Sequence, residues 1–127
     1  MGVTVARFVL DTNIILYFLG GRLADSFPAG AYAISVISEL ELLAYPGLVS
    51  SEEQRIRDFL ADVPITDLTQ SVKHHAVSLR KRFGLKLPDA IVAATALALE
   101  ATLLTNDQRL LALSDVPTQT LRVKSQS

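Results

Sequence analysis

Four acidic residues carry most of the sequence's capacity for chemistry: Asp11, Glu41, Asp89 and Asp107. Asp11 ends the apolar run Phe8-Val9-Leu10 inside RFVLDTNIILYFL. Glu41 closes Ser38-Glu39-Leu40-Glu41, and Asp89 follows Pro88 at the head of a long apolar stretch. Asp107 follows Leu103-Leu104-Thr105-Asn106. Carboxylates gathered in one place repel one another unless a cation neutralises them. A set of carboxylate oxygens without cysteine suits Mg²⁺ or Mn²⁺. Taken singly, each acid has a structural role open to it. Asp11 fits a helix N-cap, Glu41 a capping box with Ser38, Asp89 a dipole-facing first turn and Asp107 a turn residue.

What would gather them is the alternation of short apolar runs with helical stretches. Strands are predicted at Arg7 to Leu10, Ala31 to Ser35, Val63 to Ile65, Thr102 to Thr105 and Gln119 to Val123. Pro64 marks the third as an edge strand. Helices are predicted at Thr12 to Leu19, Ser38 to Ala44, Ser51 to Leu60, Thr69 to Phe83, Pro88 to Ala101 and Asp107 to Leu113. Ser51 is the expected N-cap of the third helix, and Gly84 the stop of the fourth. This order predicts an α/β fold, a three-layer α/β/α sandwich around a mostly parallel sheet. In such a sheet the carboxyl ends of strands and the amino ends of helices share one edge, where sites form. All four acids fall on that edge, with Glu41 in the first turn of its helix. With Leu40 at the centre of the buried face, Glu39 and Glu41 flank it on opposite sides. Periodicity alone does not choose between them.

Composition sets the outer bounds. The 127 residues fit a single domain over 1–127, with 124–127 as a frayed tail. Half the residues are apolar and the mean hydropathy is +0.34, which is ample for a core. The formal charge is −1, so bulk charge does not advertise nucleic-acid binding and a local basic patch would have to supply it. No export signal is visible, and the absence of cysteine fits a reducing compartment. The longest apolar run, Ala90 to Leu99, falls short of the roughly 20 residues a membrane span needs. A soluble cytoplasmic protein is expected.

The same residues carry a resemblance. Leu10-Asp11-Thr12-Asn13 resembles the opening motif of PIN-domain ribonucleases, and Ser35 to Leu42 their second motif, whose spacing favours Glu41. Leu87 to Ala96 closely resembles the third motif. Leu104-Thr105-Asn106-Asp107 with Arg109-Leu110 is similar to the fourth, with Leu110 where many members carry Phe. The likeness runs from Phe8 to about Leu113 in the family's order. Length and architecture look like the VapC toxins of type II toxin–antitoxin systems. The resemblance implies a Mg²⁺- or Mn²⁺-dependent endoribonuclease leaving a 5′-phosphate and a 3′-hydroxyl. It further implies a homodimer and a small VapB-like antitoxin as partner. Asp11 and Asp89 would be direct metal ligands, and Glu41 and Asp107 would hold water or a second ion.

Thr12, Asn13, Thr105 and Asn106 would orient the carboxylates or touch phosphate, or else serve as turn and cap residues. Arg80, Lys81, Arg82 and Lys86 form the densest basic cluster. They are candidates for RNA phosphate contacts or for complementing a helix end. His74 and His75 lack partner spacing for a metal. Phe18, Leu19 and the apolar surplus are candidates for dimer or antitoxin contacts. Competing functions are a receiver-like phosphoacceptor, a non-catalytic PIN-like binding module and a DNA-directed nuclease.

Overall fold

The computed structural model describes residues 4–125. Five strands alternate with six helices: β1 (Arg7–Leu10), α1 (Thr12–Leu19), β2 (Ala31–Ser35), α2 (Val36–Leu43), α3 (Ser50–Asp62), β3 (Ile65–Thr66), α4 (Gln70–Phe83), α5 (Leu87–Ala98), β4 (Thr102–Leu104), α6 (Gln108–Leu111) and β5 (Thr118–Gln119). All strand pairs are parallel, in the order β3-β2-β1-β4-β5. The chain works outward from β1 to β3, then crosses to β4 on the other flank of β1. The crevice at the carboxyl ends of β1 and β4 is therefore the topological switch point. A receiver fold orders its strands 2-1-3-4-5, so the strand order removes the phosphoacceptor reading.

β1 is central, and its apolar residues are buried on both faces, as a parallel sheet requires. Val9 and Leu103 face a core built with α4, α5 and α6. Phe8, Leu10 and Leu104 face the opposite core with Ile14, Ile15, Leu42 and Ile56. Fully burying each of these large side chains is worth about 1.5–3 kcal/mol. Ala90, Ala93, Ala94 and Ala96 of α5 are all fully buried. Their small side chains let α4 and the sheet approach this helix from both sides. At the entry to β2, Gly30 has φ +157°, and an added Cβ would lie 2.5 Å from Ala6 O and 2.9 Å from the Phe8 ring.

Several predicted boundaries move. α2 starts at Val36 with Ser35 as its N-cap, its hydroxyl accepting from Ile37 N at 3.0 Å. Glu39 is thus the first-turn acid, and Glu41, two residues on, lies in the second turn. Leu40 is 55% exposed, so it is not the centre of the buried face; Ser38 and Leu42 are the buried residues. α3 begins one residue before Ser51, capped through Glu52 Oε1, which accepts from Val49 N at 3.1 Å. β3 follows Pro64 instead of containing it. α5 ends at Ala98, short of Ala101, and α6 is a single turn. β5 ends at Gln119. Val123 instead forms an antiparallel bridge with Leu23, and Lys124 N donates to Arg22 O at 2.7 Å. The predicted tail therefore does not begin at 124; its residues 126 and 127 lie outside the described residues. Among the described residues no helix is long and apolar enough to cross a membrane.

Candidate metal-binding active site

Asp11 stands where β1 gives way to α1. Its amide donates to Leu104 O at 2.9 Å, tying it to the end of β4. Oδ1 accepts from Thr12 N at 2.8 Å and Oδ2 from the buried Thr105 hydroxyl at 2.7 Å. The residue is 8% exposed and is an N-cap as well as a site carboxylate. It has no ion-pair partner among the described residues. Burial pushes its pKa up to about 6. The Thr105 and Thr12 hydrogen bonds pull the other way, and Asp89 and Asp107 raise it further.

The other acids arrive from three separate elements. Asp89 sits in the first turn of α5, behind Lys86 and Pro88. Partial burial raises its pKa, as does the charge of Asp107, while Arg109 and Lys86 lower it. Asp107 caps α6, accepting from Arg109 N at 2.8 Å, and its own amide donates to Thr105 Oγ1 at 3.0 Å. The Arg109 guanidinium lies 3.5 Å from Asp89 Oδ2 and 3.9 Å from Asp107 Oδ1. Glu41 joins from α2: the Thr12 hydroxyl donates to its Oε1 at 2.7 Å and lies 3.0 Å from Ser38 Oγ. Glu41, not Glu39, thus contacts the Asp11 turn.

The charges of Asp89 and Asp107 both reach Asp11, that of Asp107 reaches Asp89, and Thr12 links Glu41 to the Asp11 turn. Among the described residues no three acidic or histidine side chains close to the spacing of an ion cage. Asp89 leans on Arg109, and Asp107 and Glu41 have hydrogen-bond donors of their own. The donor set still fits a hard divalent cation. All four are carboxylates, and the most buried one has no positive charge to offset it, a costly state that a bound cation would relieve.

The neighbouring polar residues divide by role. Asn13 Oδ1 lies 3.4 Å from the Asn106 amide. The Asn106 side chain, oriented to satisfy both its atoms, donates to Thr105 O at 3.2 Å and Leu121 O at 3.1 Å. These two asparagines hold the β4–α6 turn in place. Of the basic cluster, Arg80 donates to Leu85 O and Arg82 pairs with Asp115. Arg82 is therefore offset by an acid within the protein, whereas Arg80 is held by a neutral carbonyl. Lys86 acts on Asp89 from the head of α5. His74 and His75 stack edge to face on α4, 5.7 Å between ring centroids. The sequence reading missed Ser38 as a site contact and noted Arg109 only as part of a motif. The three-residue spacing of Ser38 and Glu41 puts them on one helix face, a signal that favours Glu41 over Glu39.

Comparison with known proteins comes from three directions. The family model described as PIN domain matches residues 8–116. Comparison with curated protein sequences finds no match. Among solved structures, a toxin–antitoxin complex from Klebsiella pneumoniae is similar at 32% identity and TM-score 0.68, covering 82% of this chain and 89% of that one. VapBC2 from Rickettsia felis, bound to a DNA fragment from the promoter, is similar at TM-score 0.74 and 20% identity, covering 90% and 98%. VapBC-5 from Mycobacterium tuberculosis is similar at TM-score 0.71 and 19% identity, covering 93% and 99%.

Proposed function

The chain belongs to the PIN-domain family, and from that premise we propose that it is a Mg²⁺- or Mn²⁺-dependent endoribonuclease. We propose further that it is the toxin of a toxin–antitoxin pair, acts as a homodimer and is held in check by a small antitoxin protein. The observation that carries the nuclease reading is Asp11: a buried carboxylate without a cationic partner, beside two more acids on the switch-point edge. The toxin reading is supported by the likeness to the Klebsiella toxin–antitoxin complex.

In this reading Asp11 and Asp89 hold the ion. When bound, the ion supplies water activation and charge neutralisation at the scissile phosphate. The Thr12 amide and Thr105 hydroxyl fix both Asp11 oxygens, so the carboxylate is oriented before substrate arrives. Glu41 Oε1 is held by Thr12, which leaves Oε2 to accept a proton from the attacking water. Arg109 offsets the charge of Asp89 and Asp107 while phosphate approaches. The products are a 5′-phosphate and a 3′-hydroxyl.

The test is incubation of the purified chain, free of any antitoxin, with labelled RNA and labelled DNA. Cleavage of RNA in Mg²⁺ or Mn²⁺ and its loss in EDTA is the expected result. Absence of cleavage on a broad panel of RNAs would sink the nuclease reading, and cleavage of DNA alone would reassign the substrate.

A further inference from the structure

The charge of the chain is unevenly distributed. Four of its twelve Lys and Arg residues lie in α4, and none of its thirteen Asp and Glu. The helix carries +4, and the remaining residues sum to −5. Its inner face, Val72, Ala76 and Leu79, is buried against the core. Its outer face forms a shallow groove of about 510 Å³ lined by Gln70, Lys73, His74, Ser78, Lys81 and Arg82, with the exposed Val77 among them. Lys73 and Lys81 have no ion-pair partner among the described residues. Eight residues of helix set them roughly 12 Å apart. Only Gly84, Leu85 and Lys86 separate this helix from α5, so its C-terminal end leads directly into the turn before Asp89. At that end the Arg82 guanidinium lies 5.2 Å over the Phe83 ring, and Phe83 is 36% exposed.

We propose that the outer face of α4 is the track along which the sugar–phosphate backbone of the RNA runs toward the acidic edge. Lys73 and Lys81 meet successive stretches of phosphate, and the exposed part of the Phe83 ring offers a stacking surface for a base. Carboxylates on the edge repel a polyanion, so affinity has to come from cations set back from it, and α4 is where they are concentrated. The aromatic beside the cations favours a single-stranded nucleic acid over an acidic protein, because bases stack and carboxylates do not. This surface rests on the ribonuclease reading for its substrate and adds the route by which that substrate is held.

The test is fluorescence anisotropy of a labelled single-stranded RNA in EDTA, across a NaCl series. The unaltered chain is compared with Lys73→Gln/Lys81→Gln, with Lys73→Arg/Lys81→Arg and with Arg57→Gln on α3 as a control. The double Gln variant should bind roughly tenfold more weakly near 0.1 M salt, with a salt slope shallower by about 1.4. The Arg variant and the control should match the unaltered chain, and thermal melts should coincide for all. An unchanged affinity and slope in the double Gln variant would overturn the track and leave the nuclease reading standing. RNA binding that follows the predicted pattern without cleavage in Mg²⁺ would do the reverse. Retained RNA affinity with lost binding to poly-glutamate would assign the face to an acidic protein and overturn the proposal.

Discussion

Asp11 shows how one carboxylate serves two ends. It caps α1, which any of several residues would do, and it is buried, which a cap does not require. Burial makes its charge costly. With a folded pKa of about 6 against an ordinary 3.8, the folded state binds the proton more tightly than the unfolded one. Stability from this group is therefore fully present below pH 3.8 and lost as pH rises through about 6. Chemical denaturation in EDTA should show that decline, amounting to about 3 kcal/mol at most by pH 7. Asp11→Asn should flatten it, because the amide carries no charge to bury. Thr105→Val removes the donor to Asp11 Oδ2 and the acceptor for Asp107 N together. It should cost about 1–3 kcal/mol and push the Asp11 titration, followed by carboxyl NMR, still higher.

The helices and strands that carry these residues were mostly legible, and the exceptions have physical causes. The strands at Arg7–Leu10 and Ala31–Ser35 stand as read because unbroken apolar runs between turn signals leave few alternatives. The predicted α5 ran three residues past its end at Ala98 because its stop lacks the usual glycine. Glu100 takes the left-handed conformation, φ 53°, with its amide bonded to Leu97 O at 3.1 Å and the Ala101 amide to Ala96 O at 2.8 Å. That is a Schellman ending with a side chain where glycine is favoured. Glu100→Gly should therefore raise the unfolding free energy by about 0.5–1 kcal/mol in urea melts. The face of α2 was misread because half the chain is apolar, so Leu40 gave no sign that it lies outside the core. Without a reliable buried face, periodicity could not separate Glu39 from Glu41, and only the motif spacing favoured Glu41. The Thr12 contact separates them, and it depends on how α2 leans against the β1–α1 turn, which sequence spacing does not encode. The edge that gathers Asp11, Asp89 and Asp107 was legible, since parallel topology forces strand ends and helix starts together. Arg109 was not, because nothing in its spacing says that it reaches back across twenty positions to Asp89.

The molecule as a whole places an acidic edge at the switch point and a basic helix next to it. Such an edge should respond to divalent ions as a unit. Mn²⁺ should raise the melting temperature at pH 7.5, where Asp11 is ionised and without a cationic partner. It should do little at pH 4.5, where the carboxyl is protonated, and little at either pH in Asp11→Asn. A shift of equal size at both pH values would place the ion elsewhere. The most direct measurement is the single-turnover cleavage rate of one labelled RNA in Mg²⁺, comparing the unaltered chain with Asp11→Asn and Asp89→Asn. Loss of a direct carboxylate ligand should slow cleavage ~100-fold or more in each variant, with binding in EDTA preserved. Cleavage at the unaltered rate in both variants would contradict the assignment of the acidic edge as the reacting site.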